Sequence, residues 1–73
     1  MTLNEVAVGE EVFVNSVFGD SKLTKRLLAL GCVSGTKVLV KKIAPLGDPM
    51  LISFRGFDLS IRKKDAKNIQ VVK

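Results

Sequence analysis

The sequence contains no histidine, tyrosine or tryptophan, a single cysteine and only two prolines. Each shortage removes a class of chemistry. With no imidazole to serve as a base, Cys32 cannot join a Cys/His nucleophilic pair. It reads instead as a small buried hydrophobe following a helix cap. Transition metals are usually held by imidazole or clustered thiolates. The donors available here are Cys32 and the carboxylates Glu5, Glu10, Glu11, Asp20, Asp48, Asp58 and Asp65. Neither a metal site nor a bound cofactor is expected from that set, and nothing in it points to an enzyme. A lone cysteine cannot form an internal disulfide, which suits a reducing compartment. The longest uncharged run, Leu27 to Thr36, spans ten residues and includes two glycines. A membrane span needs about 20 mostly apolar residues. Met1 to Glu5 lacks the basic and apolar regions of a secretory signal. The expected location is the bacterial cytoplasm.

What is present fits one domain over residues 1–73. A chain this short buries only about 60% of its unfolded surface, so stability is marginal. A hydrophobic content of 47% argues against disorder. Twelve basic against seven acidic side chains give a net charge of +5. That balance suits RNA, DNA, an anionic membrane face or an acidic protein, and equally an ordinary solvated surface.

Both prolines fall in Ala44-Pro45-Leu46-Gly47-Asp48-Pro49. Proline removes a backbone donor and pushes the preceding residue toward extended geometry, and Gly47 is free to take a positive φ. The segment therefore predicts a stiff loop between a strand over Lys37 to Ala44 and another over Met50 to Phe54. Upstream, Thr2 is expected to cap a short first turn with Leu3 and Val6 as apolar contacts, ended by Gly9. Glu11 to Val17 is β-branched and aromatic and predicts the first strand. Gly19-Asp20-Ser21 breaks it, with Ser21 as the N-cap of a helix over Lys22 to Leu30 and Asp20 favourable at the helix N-terminus. Leu23, Leu27 and Leu30 share one stripe; Leu28 lies nearly opposite, beside Thr24 and Lys25. Gly31 is the expected left-handed cap.

After the proline loop, a two-residue turn at Arg55-Gly56 places Phe54 opposite Phe57, Ile52 opposite Leu59 and Met50 opposite Ile61. All six are apolar and share a face. Ser53 against Asp58 and Leu51 against Ser60 make the other, mostly polar face. Arg62 to Lys67 reads as a turn or single helical turn, and Asn68 to Val72 as a last strand. Five short strands, with one helix between the first and second and no parallel crossover, indicate a small antiparallel SH3-like barrel.

Gly31 to Lys37 (G-C-V-S-G-T-K) falls one residue short of a phosphate loop and follows a helix instead of preceding one, so it is rejected. For nucleic acid, Lys41-Lys42 and Arg62-Lys63-Lys64-Lys67 form a basic edge. Stacking on bases needs exposed aromatics, and with Phe54 and Phe57 assigned to the core only Phe13 and Phe18 remain. Leu46 at a stiff loop tip and Leu28 on the outer helix face favour partner recognition, because a rigid loop loses little entropy on docking. The opposing expectation is that Leu46 folds back to plug the barrel.

Together these segments resemble the FeoA family of small SH3-like proteins that accompany the FeoB ferrous-iron transporter. The likeness covers nearly the whole chain: Leu3 and Gly9, Arg26-Leu27 with Leu30-Gly31, Gly35, the Ala44–Pro49 block, the Phe54-to-Leu59 hairpin, Arg62-Lys63, Ala66, Ile69 and Val71. Cys32 stands where an aliphatic residue is typical, and Ser34 where proline is typical. The resemblance implies a non-catalytic accessory that docks on the transporter's cytoplasmic portion and touches the membrane only through it. Leu28 and Arg26, with Pro45, Leu46, Gly47 and Asp48, form or flank the expected docking surface. Similar domains end iron-dependent repressors. Alternatives are a basic barrel that binds nucleic acid and a transition-metal-sensing module. Sheet edges and an exposed leucine also suit a homodimer.

Overall fold

The computed structural model describes residues 1–19 and 21–73; the expectation for Asp20 lies outside the described residues. Among the described residues, five strands form: β1 (Glu11–Val17), β2 (Lys37–Ile43), β3 (Met50–Phe54), β4 (Phe57–Ile61) and β5 (Ile69–Val72). Helix α1 (Lys22–Ala29) separates β1 from β2, and the single turn α2 (Lys63–Ala66) separates β4 from β5. A short 3-10 turn over Leu3–Glu5 precedes the sheet. The strands pair antiparallel in the order β4-β3-β2-β1-β5. Register shifts between Val14 and Ser16 and between Val40 and Lys42 mark bulges, which bend the sheet toward closure. The result is the expected small SH3-like barrel.

Alternation along the strands decides which side chains go inside. Val12, Val14, Val38, Val40, Ile52, Ile69 and Val71 are buried, with Leu3, Val6, Leu27 and Cys32 closing the core from outside the sheet. Full burial of each aliphatic side chain stabilises by about 1.5–3 kcal/mol. Among the described residues, no buried side-chain polar atom lacks a hydrogen-bond partner.

The β3–β4 register is the one expected, Phe54 to Phe57 through Met50 to Ile61. Arg55 (φ 50°) and Gly56 (φ 83°) both take the left-handed conformation that a type I′ turn requires. Three local expectations need correction. Thr24 is only 6% exposed. Its Oγ1 lies 3.0 Å from Ser21 Oγ and donates to the Phe18 carbonyl at 3.4 Å, so the chain entering the helix covers it. Phe57 is 47% exposed although it faces the core side, because β4 ends the sheet and leaves no neighbour beyond it. The first turn ends at Glu5, and Gly9 instead donates its N–H to the Val40 carbonyl at 2.8 Å.

Candidate functional site

The loop between β2 and β3 is built as a rigid projection. The Ala44 N–H donates to the Pro49 carbonyl at 3.0 Å and the Gly47 N–H donates to the Ala44 carbonyl at 2.7 Å. Ala44 to Gly47 is thus a β-turn with proline at its second position, where the fixed φ of proline fits. Gly47 takes φ 86°. Leu46 is at the apex and is 96% exposed. It projects outward and does not plug the barrel. Asp48 is turned back toward the fold: its Oδ1 accepts the Lys63 N–H at 3.0 Å and caps α2. Asp48, Pro49 and Arg62 line a small cleft of about 180 Å³ at this end.

Helix α1 begins as expected. Ser21 Oγ accepts the Thr24 N–H at 3.1 Å, which satisfies one of the free donors of the first turn. Gly31 takes φ 93° after the last turn. A Cβ at Gly31 would stand 3.0 Å from Arg55 Nε, so the absence of a side chain there lets the guanidinium lie against the helix end. A cation at a helix C-terminus is favourable. This contact also fixes the geometry of the site. The C-terminal end of α1, with Arg26 and the 48% exposed Leu28, abuts the β3–β4 turn, whereas Leu46 lies beyond the opposite end of β3. Pro45, Leu46, Gly47 and Asp48 are brought together; Leu28 and Arg26 are not brought to them. Five strand residues at about 3.3 Å each set the scale of that gap.

Two features escaped the sequence reading. An open groove of about 590 Å³ runs over the outer sheet face, lined by Glu11, Val33, Lys37, Leu39, Ser53 and Arg55 among others. The second is the half-exposed Phe57. For both, only the sheet order and the Gly31–Arg55 contact reveal the placement.

Among the described residues, three ion pairs lie on the surface: Lys37–Glu11 at 3.6 Å, Lys41–Asp58 at 3.1 Å and Lys73–Glu10 at 3.1 Å. The hydrogen bond from Lys41, with a second from Ser53, holds the Asp58 carboxyl below its usual range. Lys41 and Lys42 sit on β2, inside the sheet order and not at its edge; Arg62 to Lys67 flank the β4 end. Phe13 and Phe18 are both exposed. Among the described residues, no three His, Cys, Asp or Glu side chains converge as a metal-binding group. No described helix is long and apolar enough to cross a membrane.

A family model for the FeoA domain matches residues 1–73. The chain is 34% identical over 71 residues to an Fe(2+) transport protein A/Fe(2+) transporter FeoB fusion protein of Porphyromonas gingivalis. That alignment covers 97% of this chain but only 8% of the fusion protein. The solution structure of FeoA from Chlorobium tepidum superposes with a TM-score of 0.91 at 38% identity, covering 99% of this chain and 69% of that one. A zinc-complexed FeoA of Stenotrophomonas maltophilia gives 0.84 at 29% identity, over 97% and 88% of the two chains. Matched by the FeoA model over residues 1–73 and by a FeoA structure over 99% of its length, this chain belongs to the FeoA family, whose members are linked to ferrous iron transport.

Proposed function

We propose that this protein is a non-catalytic, cytoplasmic accessory of bacterial ferrous iron uptake that docks on the cytoplasmic part of a FeoB-type transporter. One observation carries the reading: in the P. gingivalis relative, a segment alignable with nearly all of this chain is joined to a FeoB transporter in one polypeptide. Such fusion is what an obligatory neighbour tolerates, since linkage raises the local concentration of two partners without new contacts. Leu46 is the anchor. Its side chain is held in water by a turn that is already ordered, so burying it against a partner recovers apolar area at little entropic cost. Leu28, at the other end of β3, offers a second contact, and the excess of basic over acidic groups favours approach to an acidic surface.

The test is binding of the purified chain to the isolated cytoplasmic domain of the transporter, with Leu46→Asp and Leu28→Asp measured separately. Loss of at least about tenfold affinity in Leu46→Asp is expected, matching removal of an interface anchor. Unchanged affinity in both variants refutes the docking surface, and no binding by the parent chain refutes the partner.

A further inference from the structure

A five-stranded sheet with the order β4-β3-β2-β1-β5 has two edges, and this chain treats them differently. The β5 edge is sealed by the chain's own start: Thr2 bridges Gln70, and the Val71 N–H donates to the Met1 carbonyl at 2.9 Å. Among the described residues, nothing covers the β4 edge in this way. In a hairpin closed by a two-residue turn, Phe54 and Phe57 exchange both backbone bonds, and bonded and non-bonded pairs then alternate. Phe57, Leu59 and Ile61 therefore spend their N–H and C=O groups on β3. Those of Asp58 and Ser60 point away from the sheet, and no described residue bonds to them.

Edge strands are normally blunted by proline, a bulge or an outward charge. No proline occurs in β4, and its pairing with β3 runs without a shift. Its one charge, Asp58, is drawn across the sheet to Lys41. Half-exposed Phe57 and half-buried Leu59 carry the core face out to this edge and leave it unfinished. Basic groups stand at both ends, Arg55 before the strand and Arg62, Lys63 and Lys64 after it.

From this geometry we infer that the β4 edge accepts one more strand, an extended acidic segment of a partner polypeptide with apolar side chains at alternate positions. The added strand takes up the free groups of Asp58 and Ser60, lays its inward side chains over Phe57 and Leu59, and sets its acidic residues against the flanking cations. A second copy of this chain fits less well. Pairing Asp58 with Ser60 of the copy ends at Phe57 opposite Ile61, beyond which the Arg55 turn of each copy meets the basic Arg62–Lys64 end of the other, and like charges brought together repel. The inference does not depend on Leu46, Leu28 or the transporter.

The probe is a short synthetic peptide with valine at alternate positions, threonine at the position facing Asp58 and glutamate at the others, added to the full chain while amide hydrogen exchange is followed by NMR. Exchange at Asp58 and Ser60 is expected to slow by at least about tenfold, since these are the amides that gain partners. Methylating the peptide nitrogens that face β4 keeps the charge and removes the bonding, and should weaken binding by a similar factor without altering the protein. Ser60→Pro, which deletes an outward N–H and leaves the β3 ladder intact, should do the same. Absence of binding, equal binding of the methylated peptide, or equal binding of a lysine–valine peptide overturns the proposal. Slowed exchange at Asp58 and Ser60 that grows with protein concentration in the absence of peptide also overturns it, in favour of a second copy.

Discussion

Asp48 Oδ1 accepts the backbone N–H of Lys63 at 3.0 Å, so the projecting loop caps the helix that leads into the last strand. The helix's own N-cap position is Arg62, whose side chain makes no capping bond. Asp48→Ala is therefore expected to destabilise by about 1 kcal/mol, the usual worth of a lost cap. For a domain of this size that corresponds to a fall of roughly 4–8 °C in Tm. Asp48→Asn, which keeps an acceptor oxygen, should recover most of the loss in thermal unfolding.

Gly31→Ala is expected to cost about 1–2 kcal/mol, because the left-handed conformation penalises any Cβ. At this position the new atom also meets Arg55 Nε at 3.0 Å. In the Arg55→Ala background the cost of Gly31→Ala should shrink but not vanish, since the backbone strain remains. Denaturant unfolding of the double-mutant cycle separates the two contributions.

Acid should weaken the fold through three surface carboxylates. The backbone N–H of Thr2 holds Glu5 low, that of Ala7 holds Glu10 low, and Lys41 holds Asp58 low. Each is depressed in the folded protein, so its contribution is complete above the unfolded value, about 4.5 for glutamate, and disappears as pH falls through the folded one. The denaturant midpoint is expected to drop as the pH is lowered below about 4.5. Glu5→Gln should flatten part of that drop.

Burial pushes the Cys32 thiol above its usual value of about 9. The folded protein should therefore resist alkylation at neutral pH and react only through opening of the fold. A raised thiol favours the fold below about pH 9, where the unfolded thiol is also protonated, and that contribution is lost as pH rises further. Alkylation rates measured against denaturant, and stability measured between neutral pH and pH 10, check the two statements.

The hairpin was legible in the sequence because a two-residue turn leaves one register, and only that register puts six apolar side chains on one face. The Ala44–Pro49 loop was legible for a similar local reason: two prolines fix φ at their positions and Gly47 admits the positive φ the turn needs. Phe57 shows where such reasoning stops. Its pairing was correctly placed, yet its exposure depends on β4 being last in the sheet, and order is a property of the whole fold. The capping of α2 by Asp48 and the contact of Arg55 with Gly31 join residues far apart in sequence, and no periodicity encodes them. Thr24 failed for a subtler reason, since the wheel position of a residue in the first turn says nothing about the chain folded over it.

The bond from Val71 to Met1 and the bridge from Thr2 to Gln70 give the molecule a stopper as well as a socket. Take those two residues away and both flanks of the sheet stand open, so β4 of one molecule can meet β5 of the next. Such an edge-to-edge contact is heterologous, and where its rotation does not close a ring it propagates as a fibre. Met1 and Thr2 thus cover one of the two flanks that such propagation would need.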